Sequence, residues 1–209
     1  MATAIPALVN PALLEWARQE SGYLIEPVAK RLSVKPERLL SWERGEAKPT
    51  IRQAKELAAF YRRPLGVFYL PQPPALPPLA SEYRRLPGVT PGVESPEFRV
   101  AIRTLLQRRE ESLELGEELE VPLIEFGVVA HLSEAPISVG DRLRASLGIS
   151  PEEQKKWGSD WEGWRRWREA VEGAGVLVLQ FPKVDLGQTR GVSLLKFPLP
   201  VIGINSKES

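Results

Sequence analysis

Six polar side chains, Lys35, Glu37, Arg38, Ser41, Arg44 and Lys48, crowd one short stretch of the chain. They supply hydrogen-bond donors, one carboxylate acceptor and one hydroxyl, but no activated nucleophile and no acid–base pair. Side chains of this kind on an exposed helix suit the edges of bases, and cations just beyond it suit phosphate oxygens. Catalysis has less to draw on. The chain holds one histidine, His131, and no cysteine. A zinc peptidase site of the His-Glu-x-x-His kind needs two imidazoles one helical turn apart with the glutamate between them. His131 stands in Val-Val-Ala-His-Leu-Ser with no Glu beside it, and is expected in a loop or at a helix end. Glu110-Glu111 and Glu117-Glu118 read as a solvated helix face rather than as paired acids.

The elements that must position the six residues are legible around them. Residues 29–49 read as a helix, a tight break, a short second helix and a glycine stop. That is the outline of a helix-turn-helix, whose second helix lies in the major groove of DNA. Pro11 opens a first helix over 11–19, and Gly22 ends it. A second helix over 26–32 tolerates Pro27 only because it falls in the first turn. Pro36 opens a third helix to residue 44, with Gly45 as its left-handed stop. Thr50 caps a fourth over 51–62, and the apolar piece 65–70 is expected to close the bundle as a fifth. Ala29 supplies the small side chain where two helices cross. Val34 and Leu39 plug the core beneath the turn, and Leu32 and Trp42 complete it. Arg18 and Glu43 are placed to pair across the bundle. Lys35, Glu37, Arg38 and Ser41 then face outward, with Arg44 and Lys48 available to phosphates.

Composition sets the wider frame. The 209 residues are 43% hydrophobic and 26% charged, ordinary for a globular protein, with room for two modest domains. No apolar run is long enough for a membrane span, and residues 1–6 lack the pattern of a secretory signal. With the absence of cysteine, this leads us to expect a cytoplasmic protein. The net charge of +1 is unevenly spread: residues 1–75 hold 11 Lys and Arg against 7 Asp and Glu, and the remainder 17 against 20. The front part is thus mildly basic, as a phosphate-contacting domain tends to be.

From residue 71 to 96 there are eight prolines, a composition that fits an extended connector. Beyond it, Phe98, Ile102, Leu105, Leu106, Leu113 and Leu119 predict a long amphipathic helix over 97–119. Residues 138–147 and 161–172 also read as helices, and 176–181, 191–195 and 199–205 as three short strands. Trp157, Trp161, Trp164 and Trp167 are spaced as one helical stripe interleaved with Arg165, Arg166 and Arg168. That stripe is expected to be a core-facing seam rather than a platform for stacked bases.

The motifs now carry a resemblance. Gly22, Glu26, Ala29, Arg31-Leu32, Val34, Trp42-Glu43-Arg44-Gly45 and Pro49 resemble the signature of the Xre-type helix-turn-helix of phage repressors, over about residues 11–70. In that pattern the position of a phosphate-gripping polar residue holds Ile25, and base-reading positions hold Pro36, Glu37 and Leu40. More widely, residues 36–43, 62–74 and 82–88 resemble the ImmA/IrrE metallopeptidase family with an N-terminal Xre domain. Residues 164–178, 190–194 and 201–209 agree with it. The resemblance implies an intracellular regulator whose second domain is a zinc peptidase cleaving a repressor or antitoxin. It also implies that the His-Glu-x-x-His helix would follow residue 209. The sequence therefore suggests an incomplete domain with no metal site and no cofactor of its own, zinc being expected only with that further segment.

Together these readings predict a mainly α protein with a smaller α+β part. Residues 1–72 form a five-helix, lambda-repressor-like bundle, residues 73–96 a Pro-rich linker, and residues 97–209 the front portion of an ImmA/IrrE-like domain. The expected function is regulation through double-stranded DNA, with Lys35, Glu37, Arg38, Ser41, Arg44 and Lys48 at the interface, no enzymatic activity in the chain as it stands, and homodimer formation. Two alternatives stay open: the front fragment of a zinc endopeptidase, and a helix-turn-helix fold used to grip a partner protein.

Overall fold

A computed structural model describes residues 5–74 and 94–207. Most of the expected Pro-rich linker, and the resembling segment 82–88, lie outside the described residues. The described chain divides into two compact units, residues 5–74 with 94–102, and residues 103–207.

In the first unit, helices α1 (Pro11–Glu20), α2 (Ile25–Arg31), α3 (Pro36–Glu43) and α4 (Ile51–Phe60) form the bundle. The fifth element is a 3-10 helix, Leu65–Tyr69, rather than an α-helix. It follows Pro64 and is only five residues long, too short to repay the cost of an α-helical nucleus. It still does the expected packing, since Phe68 is fully buried and meets Tyr61 edge-on. The Asn10 side chain caps α1, and Thr50 and Gln53 close a reciprocal capping box on α4. α2 and α3 lack side-chain caps at their N-termini, so these short helices depend on packing.

The core of this unit comprises Leu13, Leu14, Ala17, Val28, Ala29, Leu32, Leu39, Trp42, Leu57, Ala58, Tyr61 and Phe68. Val34, expected to plug the core, is only partly buried against it. The turn between α2 and α3 places Ser33 at φ 54, and the Val34 amide donates back to the Ala29 carbonyl at 3.0 Å. The segment before α1 also contributes, in a way its sequence did not suggest. Ala7 N–H donates to Pro49, Ile51 N–H to Ile5, and Asn10 N–H to Phe68, which ties this segment to the start of α4 and to the 3-10 helix.

The second unit takes in the rest of the long helix α5 (Pro96–Glu118), then α6 (Pro136–Ser146), α7 (Pro151–Gln154) and α8 (Asp160–Gly173). Three strands follow: β1 (Leu177–Phe181), β2 (Gly191–Leu194) and β3 (Val201–Asn205). They form one sheet in the order β1-β3-β2, with β3 parallel to β1 and antiparallel to β2. Gly203 lies in the centre strand because an added Cβ would strike Leu105, Val192 and Phe181. Asn205 is fully buried, and its side-chain amide donates to the carbonyls of Val184 and Thr189, which closes the end of the sheet. The guanidinium of Arg109 is almost fully buried and donates to the carbonyls of Lys196 and Leu199, clamping the β2–β3 loop to α5.

Two expectations need correcting here. The apolar stripe of α5 is buried at Phe98, Ile102 and Leu105, but Leu113 is only partly covered and Leu119 is 64% exposed. The tryptophan stripe is not a buried seam either: no residue of α8 is buried, and Trp161 is 71% exposed. Trp157 instead meets Trp167 edge-on, with ring centroids 6.1 Å apart, and Arg144 lies over Trp167. The interleaved arginines do not present free charge. Arg165, Arg166 and Arg168 pair with Glu169, Glu162 and Glu172, as helix neighbours four residues apart do. Among the described residues no helix is long and apolar enough to cross a membrane.

Candidate nucleic-acid interface

α3 has two faces, and the inner one fixes the outer. Leu39, Trp42 and Glu43, spaced three and one apart, are its buried residues. The Glu43 carboxylate receives both arms of the Arg18 guanidinium, Nε to Oε1 at 2.8 Å and a terminal nitrogen to Oε2 at 2.9 Å. The same guanidinium donates to the Tyr23 carbonyl at 3.2 Å. The hydrogen bond to Glu43 raises the pKa of Arg18 against the opposing effect of burial, so this cation stays charged inside the bundle. A forked pair of this kind sets the rotation of α3 about its own axis, because only one orientation satisfies both oxygens. The sequence had anticipated this pair.

Rotation of the inner face toward α1 leaves Lys35, Glu37 and Arg38 exposed and Ser41 partly so. Glu37, Ser41 and Arg44 follow one another four and three residues apart, which puts them along one line of the helix. Arg44 is the C-cap residue and is exposed, with Glu46 only at the limit of ion-pair distance, 4.0 Å. Gly45 ends the helix at φ +76, as expected. Lys48 is exposed in the loop between α3 and α4, off the line of the helix.

Two of the six residues have part of their capacity committed within the helix. The Ser41 hydroxyl donates to the Arg38 carbonyl at 2.7 Å, which leaves only its lone pairs free. The Arg38 guanidinium leans over the Trp42 ring, 5.9 Å from its centroid. Pro36 and Leu40, at positions where the resemblance expects base readers, are partly buried. Neither Lys30 nor Arg31 was expected at the interface from the sequence, where Arg31 stood only as part of the helix-turn-helix signature. They are exposed cations in the last turn of α2, immediately before the turn into α3, and the adjacent basic pair was visible as a signal.

The one histidine falls elsewhere. His131 is exposed in the loop between α5 and α6, and its backbone N–H donates to Glu134 at 2.7 Å. Among the described residues no three His, Asp or Glu side chains converge, so those residues do not fit a zinc centre. A family model described as helix-turn-helix matches residues 14–68, and this part of the chain is a helix-turn-helix domain. No curated protein and no solved structure matches the chain.

Proposed function

We propose that the chain is a regulator of the Xre type that binds double-stranded DNA through α3. The observation that carries this reading is the outward polar face of α3, held in place by the buried face and the Arg18–Glu43 fork. Glu37, Arg38 and Ser41 face the major groove, while Arg44 and Lys48 take phosphates, with Lys35 at the helix start. Two copies bind two half-sites, as helix-turn-helix dimers do. Residues 97–209 are assigned to an ImmA/IrrE-like domain. The motifs given above support that assignment, and helices followed by a small mixed sheet accord with it.

The test is a fluorescence-anisotropy titration of the chain with a labelled random-sequence duplex across a series of salt concentrations. Arg38→Ala and Lys48→Ala should each weaken binding. Removing one phosphate-binding cation should flatten the logarithmic salt dependence by about 0.9. Unchanged affinity and slope in both variants would reject the assignment. Binding that is absent at low salt would favour a helix-turn-helix used to grip a protein.

A further inference from the structure

α3 carries two carboxylates with opposite circumstances. Glu43 is buried and fully engaged by Arg18. Glu37, in the first turn, is exposed and has no ion-pair or hydrogen-bond partner among the described residues. The neighbouring cations do not neutralise it within the helix. Arg38 is drawn toward Trp42, and Arg44 lies seven residues on, a rise of about 10 Å along the axis. An uncompensated negative charge on the face of a helix that approaches phosphates costs affinity for every sequence alike. It repays that cost only where its acceptor oxygens meet a donor.

We infer that Glu37 is the base-discriminating residue of this surface and that it selects cytosine, an inference that rests on the duplex-binding reading above. In the major groove the exocyclic N4 amino group of cytosine is a pure donor, and a carboxylate is a pure acceptor. Guanine presents only acceptors at the corresponding edge, and thymine an acceptor beside a methyl group, so neither offers Glu37 a donor. Adenine offers one donor beside an acceptor, a pattern that fits an amide and not a carboxylate. The committed states of Ser41 and Arg38 leave Glu37 as the reader on this helix with both oxygens free. The role is therefore specificity by rejection as much as by attraction.

The experiment uses the full chain, in wild-type form and as Glu37→Gln and Glu37→Ala, in a selection from a random duplex library at fixed salt. Anisotropy titrations on the selected wild-type site and its single-base replacements follow. Wild type should prefer cytosine at one position by roughly tenfold. Glu37→Gln should turn that position to adenine and leave the others unchanged, and Glu37→Ala should show no preference there. Both variants should bind random duplex more tightly than wild type at low salt. A first-turn carboxylate also favours its own helix, but that contribution is the same for every DNA sequence and cannot move a base preference. Cytosine selected equally by all three proteins, or by none while duplex is still bound, overturns this inference and leaves the duplex-binding reading intact. A wild-type chain that binds no duplex overturns both.

Discussion

Breaking the Arg18–Glu43 fork from one side should strongly destabilise the front unit, whereas replacing both partners should not. The pair has two bonds of 2.8 and 2.9 Å, and its side chains are only 12% and 3% exposed. Removing one member of a buried, hydrogen-bonded pair costs about 3–5 kcal/mol, because the other charge stays buried without compensation. Glu43→Leu should fall at about 3 kcal/mol, since Arg18 keeps its bond to the Tyr23 carbonyl and part of its path to water. Arg18→Met should fall nearer 5 kcal/mol, since the Glu43 carboxylate has no comparable outlet. Small domains have only about 5–15 kcal/mol in total, so either loss is severe. Arg18→Met with Glu43→Leu removes both charges and keeps apolar bulk, and should lie within about 1 kcal/mol of wild type. Hydrogen exchange of the α1 and α3 amides in the full chain reads the opening free energy of this unit without interference from the other. A single variant within about 1 kcal/mol of wild type, or a double variant as unstable as the two singles combined, would refute the reasoning.

Two further outcomes follow from the geometry. Gly45→Ala forces a Cβ into left-handed backbone 3.2 Å from Pro11 Cγ, and should cost about 2 kcal/mol in denaturant titrations; an unchanged midpoint would contradict the stop assigned to this glycine. Hydrogen bonding from Lys196 holds Glu110 below the ordinary carboxylate range, with Arg109 adding to the effect. A depressed folded-state value stabilises above the unfolded pKa and is lost as pH falls through the folded one. The β2–β3 loop should therefore lose amide protection on acidification, and Lys196→Met should move the Glu110 titration, followed by NMR, back up; an unmoved midpoint would show that Lys196 is not the cause.

Much of this was legible because the relevant signals are local. Pro11, Pro36, Thr50 and Gly45 mark helix ends through backbone geometry and capping, and the helices start and stop within two residues of those marks. The Arg18–Glu43 pair was legible for a different reason. A cation on one helix and an anion on the buried face of another leave few ways to satisfy both. What stayed hidden depends on contacts distant in sequence. Nothing near Arg109 announces that the carbonyls of Lys196 and Leu199 will receive its guanidinium. The tryptophan spacing indicated a helix that holds Trp161, Trp164 and Trp167 but leaves Trp157 outside it, and spacing cannot say what covers a stripe. Trp161 is exposed because no described element packs over it, not because its period was misjudged. The 3-10 geometry of Leu65–Tyr69 was likewise beyond a pattern that records only apolar content.

On the duplex-binding proposal, the side chains of α3 also limit how tightly one copy can hold DNA. A base-reading contact is worth about 1–3 kcal/mol when it is bidentate, and α3 offers few side chains able to make one. The Ser41 hydroxyl already donates its hydrogen bond to the Arg38 carbonyl, and Arg38 must leave Trp42 to reach a guanine. Phosphate contacts from Arg44, Lys48, Lys30 and Arg31 would then supply most of the affinity, and they are blind to sequence. A reader built this way discriminates mainly through the penalty Glu37 imposes on wrong bases. It gains strength by pairing, because a second half-site becomes an intramolecular contact once the first is bound. The linked expectation is steep: apparent affinity should fall sharply when two sites are moved off one helical turn of spacing, towards the weak binding of a duplex that carries one site alone.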